Sequence, residues 1–257
     1  QLSLTDPDSR LMKTNNMNRQ VCYNVQTAVD TKNHLIVAHE VTNTTDRGQL
    51  HSVTKLAQKA LGKQDITVLV DKGYYSRNDI KAVLDTGAVA LVPKGDTSGA
   101  DRKGLFNLSL FKYDQEKEVY ICPTGNELQN RFTTVEDGLE LQIYFNGIAC
   151  RDCTQRSKCT TSKVAARRIR RWVHEDEMEV IQAKLDALPQ TALVRKQTVE
   201  HPFGTIKMWM GATHFLMRRF KNVSTEISLH ILAYNLKRMI SIWGTAGLAR
   251  RLQELYG

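Results

Sequence analysis

The feature that most narrows the possible folds is a change of hydrophobic period along residues 20–94. In QVCYNVQTAVD (20–30), Val21, Tyr23, Val25, Thr27 and Val29 alternate with residues of the opposite face, which is the two-residue period of a β-strand. HLIVAHEVTN (34–43) follows the turn DTKN and completes a hairpin. The period then lengthens. In TDRGQLHSVTKLAQKALG (45–62), Leu50, Val53, Leu56, Ala57, Ala60 and Leu61 recur at helical spacing, with Thr45 or Asp46 as the N-cap. ITVLVD (66–71) and AVALVPK (88–94) are short apolar runs of the kind buried strands show. SRNDIKAVLDTG (76–87), between them, reads as a helix ended by glycine. LSLTD (2–6) is a further short strand, closed by Pro7. Three strands, then helix, strand, helix and strand predict a mixed sheet covered by helices, an α/β class.

Composition shifts at GDTSGADRKG (95–104), a turn-rich linker. Beyond it LFKYD, EVYICP and LELQIYF read as short strands with cysteines between them, and from about residue 174 the pattern is helical again. STEISLHILAYNLKRMISIWG (224–244) predicts a capped amphipathic helix with Ile227, Ile231, Leu232, Leu236, Met239 and Ile240 turned inward. There is no internal repeat. The simplest organisation is a core made from both ends, residues 1–100 and 189–257, interrupted by a small β-rich, cysteine-containing insertion over 101–188.

The chain has 257 residues, 41% hydrophobic and 25% charged, the balance of a globular protein. Its net charge is +9, which suits a polyanionic partner. With no stretch near the ~18 apolar residues of a membrane helix, nucleic acid fits better than a bilayer. The cations cluster: Lys163, Arg167, Arg168, Arg170 and Arg171 occur with no acid among them, and Arg218, Arg219 and Lys221 form a second run. Five cysteines, an odd number, argue against a secreted disulfide scaffold and point to a reducing cytoplasm. The chain opens at Gln1 and reads as a piece of a longer polypeptide.

Three acids stand out. Asp71 closes the run TVLVD, and polar residues at the carboxyl ends of strands line the ligand crevice of open α/β sheets; a helix-capping aspartate is the plain alternative. Asp6 ends the predicted first strand, with Asp8 two residues on. Glu200 lies among Arg195, Lys196, His201 and Lys207, with Arg218 at one remove, either as an ordinary paired acid or as a metal ligand amid phosphate-binding cations. Carboxylates brought together repel unless a divalent cation lies between them. Two Asp and one Glu are hard ligands that suit Mg²⁺ or Mn²⁺. Among the cysteines, Cys150, Cys153 and Cys159 read C-x2-C-x5-C and Cys122 follows a strand. Four thiolates satisfy a tetrahedral zinc site; free thiols in a reducing cell are the alternative. Cys22 falls in a strand and is expected in the core. His174, His201 and His214 are scattered and are not read as ligands.

Taken together and in order, TDPDSRLM, YNVQTAVD, HLIVAHEVTN, VDKGYYS, RKQTVEHPFGTIK and NLKR resemble the DDE catalytic domain of bacterial insertion-sequence transposases, over roughly residues 1–245. The resemblance implies an RNase H-like fold and Mg²⁺-dependent DNA cleavage and strand transfer, with Asp6, Asp71 and Glu200 catalytic and Asp8 a competitor for the first position. It implies a Tyr-x2-Arg-x3-Glu-x6-Lys signature centred on Glu200. Lys207 matches its last position, while Leu193 and Lys196 stand where Tyr and Arg are expected, with Arg195 a substitute. DNA contacts are expected from Arg195, Lys196, Lys207, Tyr74 and Arg218. The partners implied are the element's terminal inverted repeats, target DNA and a second copy of the chain, in the bacterial cytoplasm at the nucleoid. A non-catalytic DNA-binding remnant and a host RNase H-fold nuclease are the competing readings. Because proline is tolerated in a first helical turn, Pro202 suggests a helix that starts at His201 and carries Lys207 on the face of Glu200.

Overall fold

The computed structural model describes residues 3–13, 18–95 and 99–256. The chain divides into two units, one made of residues 1–94 and 181–257, the other of 95–180.

In the first unit β1 (Arg10–Lys13) and β2 (Arg19–Cys22) pair antiparallel, Arg10 opposite Cys22. β3 (Asn24–Val29) and β4 (Ile36–Thr42) form a second antiparallel pair, Asn24 opposite Thr42. The alternation read over 20–30 is therefore shared by two strands. They break at Tyr23, whose ring meets Phe215 and Phe220 edge-on. Cys22 is half-buried rather than in the core.

α1 (Leu50–Leu61) buries Leu50, Val53 and Ala57 and packs on β4. Neither Thr45 nor Asp46 caps it. Gln49 is the N-cap, and it makes no side-chain cap bond. Instead Asp79, on α2 (Arg77–Leu84), accepts from the amides of Leu50 at 2.9 Å and His51 at 3.1 Å. A carboxylate there satisfies two orphan N–H groups and suits the positive end of the helix dipole. β5 (Thr67–Leu69), α2 and β6 (Val89–Leu91) make a parallel βαβ unit with Val68 opposite Ala90. The strand expected over 2–6 does not form in its described part. The Asp6 amide donates to Ser3 Oγ at 3.1 Å, and Leu4 is fully exposed, so the stretch has no apolar face to bury.

The second unit is built on an antiparallel sheet ordered β11-β10-β9-β8-β7. The strands are β7 (Lys112–Asp114), β8 (Val119–Ile121), β9 (Glu127–Glu136), β10 (Leu139–Phe145) and β11 (Ile169–Trp172). β9 and β11 escaped the sequence reading. β9 exposes Phe132 and Val135 and buries little but Leu128, so its alternation is blurred. β11 sits in a run that reads as a solvated basic face, yet Arg171 is only 3% exposed. It bonds Glu179 at 2.6 Å and lies over the Tyr113 ring at 3.8 Å. Phe111, Tyr120, Leu128, Tyr144 and Ile169 form this unit's core. After β10 comes α3 (Gly147–Arg151), capped by the Asn146 side chain, which accepts from the Ala149 amide at 3.0 Å.

α4 (Glu175–Ala187) carries the chain back to the first unit, followed by α5 (Thr191–Gly204) and α6 (Phe220–Tyr256), which is broken at Gly244 with φ 70°. α6 packs on β4, and Ile227, Ile231 and Tyr234 join Ile36 and Ile206 in the core. Leu232, Leu236 and Ile240, expected inward, are exposed. They follow the buried stripe by one residue, a rotation of about 100° around the helix. Asn235 fixes the orientation by bonding both the amide of Ile36, at 3.0 Å, and its carbonyl, at 2.8 Å. Among the described residues no helix is long and apolar enough to cross a membrane.

Candidate active site

Asp71 lies just past β5, in extended backbone before a single 3-10 turn, Lys72–Tyr74. Its Oδ1 accepts from the Gly73 amide at 2.8 Å, and its Oδ2 stands 3.9 Å from the Arg195 guanidinium, which α5 supplies. Both residues line a cavity of about 510 Å³ at the carboxyl ends of β5 and β6, together with Asp46, Lys72, Pro93 and Thr191. Arg195 is thus the basic residue of the Glu200 stretch that reaches Asp71.

Asp46, read in the sequence only as a possible helix cap, also lines this cavity. Its Oδ1 accepts from Asn24 Nδ2 and Gln26 Nε2, each at 2.8 Å. The Tyr74 hydroxyl, named among the DNA contacts, donates to Gln26 Oε1. Burial, and then the Asp46 and Asp71 carboxylates, push the Tyr74 phenol well up, so it stays protonated as the donor. The signal available in the sequence was Asn24 and Gln26, two amides on one face of a strand.

Asp6 and Asp8 are engaged elsewhere. Asp6 Oδ1 accepts from the Tyr23 hydroxyl at 2.8 Å and the Arg219 amide at 3.2 Å; Asp8 Oδ2 accepts from the Phe220 amide at 3.1 Å. Both carboxylates therefore sit at the start of α6, where a helix dipole favours them. Glu200 is exposed on α5 with no hydrogen bond or ion pair among the described residues, and neither it nor Asp6 lines the Asp71 cavity. Lys196, Lys207 and Arg218 are exposed. The helix does not begin at His201. α5 runs through a buried Pro202, then widens into a π turn over Thr205–Trp209. Proline removes an interior helical hydrogen bond and disturbs the turn around it. Lys207 lies in that π turn, its ammonium 5.7 Å from the Phe203 ring, so simple two-turn spacing from Glu200 does not apply.

In the second unit, Cys122, Cys150, Cys153 and Cys159 line one cavity of about 30 Å³ with Phe106, Phe111, Arg156 and Arg167. All are free thiols. Cys122 sits in a tight turn, its amide bonded to the Asn126 carbonyl at 3.0 Å and its Sγ 3.1 Å from Thr124 Oγ1. Burial raises this thiol's pKa, but bonds from Thr124 and Asn126 outweigh it and pull the thiol down. Burial, and then the neighbouring thiols, hold Cys159 up against the pull of Arg167. Among the described residues the Nε atoms of Arg156 and Arg167 are buried without partners. Among the described residues no group of three or more His, Cys, Asp or Glu stands ready to hold a metal ion. This applies to the four thiols and to the three acids alike.

A family model described as a transposase DDE domain matches residues 4–236. No curated protein and no solved structure matches the chain.

Proposed function

The chain belongs to the transposase DDE-domain family, and from that premise we propose that it is the catalytic domain of an insertion-sequence transposase, cutting DNA and joining its 3′ ends to a target on an RNase H-like core. The observation that carries the reading is Asp71, at the end of a parallel strand, facing a cavity large enough for substrate with Arg195 on its wall. Asp71, Glu200 and Asp6 (or Asp8) are the proposed acids, and as hard oxygen donors they suit Mg²⁺ or Mn²⁺. Held by these acids, such an ion would supply activation of a water or 3′-hydroxyl and stabilisation of the leaving oxygen. Arg195, Lys196, Lys207 and Arg218 hold the strand through its phosphates, with Tyr74 a further DNA contact. A second copy of the chain on the paired element end is part of the same reading, as is work at the nucleoid on an element's inverted repeats.

The test is cleavage and binding of element-end DNA over a salt series. Asp71→Asn and Glu200→Gln are expected to abolish Mg²⁺-dependent cleavage while leaving binding intact. Lys207→Ala is expected to weaken binding and reduce the salt slope by about one. Binding without any cleavage by the unaltered chain would favour a non-catalytic DNA-binding remnant.

For the second unit we propose a structural zinc held by Cys122, Cys150, Cys153 and Cys159. The support is that four thiols share a cavity of one-atom size, one of them prepared by amide and hydroxyl donors. A tetrathiolate zinc carries two negative charges, and the two guanidiniums beside it, with unpartnered Nε atoms, supply the compensating charge and N–H donors.

A further inference from the structure

We infer that Asp46 is a further carboxylate of the Asp71 cavity, a ligand for the same divalent cation rather than a helix cap. The inference rests on the proposed role of Asp71 and adds a residue that the DDE pattern does not include.

Four observations carry it. First, Asp46 is not needed where a residue before a helix is usually needed, because Asp79 takes the first amides of α1. Second, its two oxygens are treated differently. Oδ1 is clamped by Asn24 and Gln26, and Gln26, 1% exposed, is itself held by Tyr74. Oδ2 accepts no hydrogen bond among the described residues, although Asp46 lines the cavity. Clamping one oxygen of a carboxylate so that the other points at an ion is how outer-layer partners orient a metal ligand.

Third, both carboxylates approach Gly73. A Cβ on it would lie 2.9 Å from Asp71 Oδ1, which accepts from its amide, and 3.6 Å from Asp46 Oδ2, so the two acids come near one another at a residue without a side chain. Fourth, the donors are carboxylate oxygens beside an open cavity. Mg²⁺ and Mn²⁺ favour such sites, commonly using one or two carboxylates and keeping several waters for substrate to displace. Arg195, 3.9 Å from Asp71 Oδ2, and Lys72 supply further positive charge in the lining. The competing account makes Asp46 a knot that ties β3 to the loop before α1 and nothing more.

Asp46→Asn separates the two, because asparagine keeps an Oδ1 that accepts from Asn24 and Gln26 but loses the charge and the second ligand oxygen. The intact chain, free of DNA, is titrated with Mn²⁺ and free ion is read by electron paramagnetic resonance, with thermal melting in metal-free buffer as the check on folding. The expected result is a 10–100-fold loss of Mn²⁺ affinity at an unchanged melting temperature. Unchanged affinity in Asp46→Asn, with a clear loss in Asp71→Asn, overturns the inference and leaves the proposed function standing. No loss in either variant removes the reading of Asp71 itself. Should Asp46→Asn fail to fold, Tyr74→Phe releases Gln26 instead. A several-fold loss of Mn²⁺ affinity then supports the ligand role, and an unchanged affinity overturns it.

Discussion

Two cavities among the described residues differ in nearly every physical respect. The acid cavity gathers Asp46, Asp71 and Arg195 from well-separated segments, sets these charged groups among apolar side chains such as Leu69, Leu91 and Leu185, and holds about 510 Å³. The thiol cavity is drawn from the single stretch 106–167, is lined by soft sulfur and aromatic carbon, and holds about 30 Å³. Volume and softness together sort their roles. A space of one-atom size between thiols can staple a fold but admits no substrate. A wide one edged by carboxylates can admit a phosphodiester but does little to hold the chain together. Loss of the first should therefore appear as unfolding of residues 95–180, and loss of the second as lost chemistry on an intact fold.

The largest effect expected from this contrast is on the thiol side. Structural zinc contributes on the order of 10 kcal/mol to small metal-folded units. On the proposed zinc site, Cys153→Ser is therefore expected to lower the zinc content and open 95–180 to hydrogen exchange while the first unit keeps its protection. The Phe111, Tyr120 and Tyr144 core would soften that loss. If elemental analysis finds no zinc and exchange is unchanged in the variant, the aromatic core alone holds the second unit and the contrast collapses.

A smaller effect tests the long-range construction of the first unit. Asn235 bonds both backbone groups of Ile36, across nearly the whole chain. Asn235→Ala leaves a part-buried donor and acceptor unmatched and should destabilise by about 1–3 kcal/mol, read as a lower midpoint in urea. Exchange should rise in β4 and α6 and remain unchanged in β7–β10. Equal loosening of both units would show that they do not respond separately.

The same contrast explains what was legible in the sequence. The βαβ run 67–91 could be read because each element carries its own period and its own stop signal. Asp71 stood out because polar residues at the carboxyl ends of strands line the ligand crevice of open α/β sheets, although its side chain also caps the turn that follows. Asp46 did not, since its meaning depends on Asp79 already occupying the helix start, a contact between segments that no local pattern encodes. β11 was hidden for a related reason. The burial of Arg171 is compensated by Glu179, Asp176 and the Tyr113 ring, so charge alone misreported its exposure. The face of α6 was misjudged because Leu232 and Leu236 are as apolar as Ile227 and Ile231, and only the bonds of Asn235 to β4 settle which stripe turns inward.

The smallest expected effect is a pH dependence confined to the first unit. Burial lowers the pKa of His39 below its ordinary value of 6.5, and burial, then Arg238 and His34, lowers that of His201. His39 Nε2 meets Ser228 Oγ at 2.9 Å, and since that hydroxyl gives its proton to the Ser224 carbonyl, the imidazole is the donor. His201 Nδ1 likewise donates to Tyr234, whose own proton goes to the His34 carbonyl. Both contacts fix α6. Because the folded pKa values lie below the unfolded one, the unfolded chain binds more protons between them. Stability is therefore full above about pH 6.5 and falls as pH drops through 6.5 toward the lowered folded values. His174 is the one histidine between residues 95 and 180, and its contacts are local: Glu177 at 3.3 Å and the edge of the Trp172 ring. Hydrogen exchange at pH 7.5 and 5.5, corrected for intrinsic rates, should show β4 and α6 loosening in acid while β8–β10 stay protected. His39→Gln with His201→Gln should flatten the response. Acid loosening of the sheet β8–β10, or a slope that survives both substitutions, would mean that other groups set the pH response.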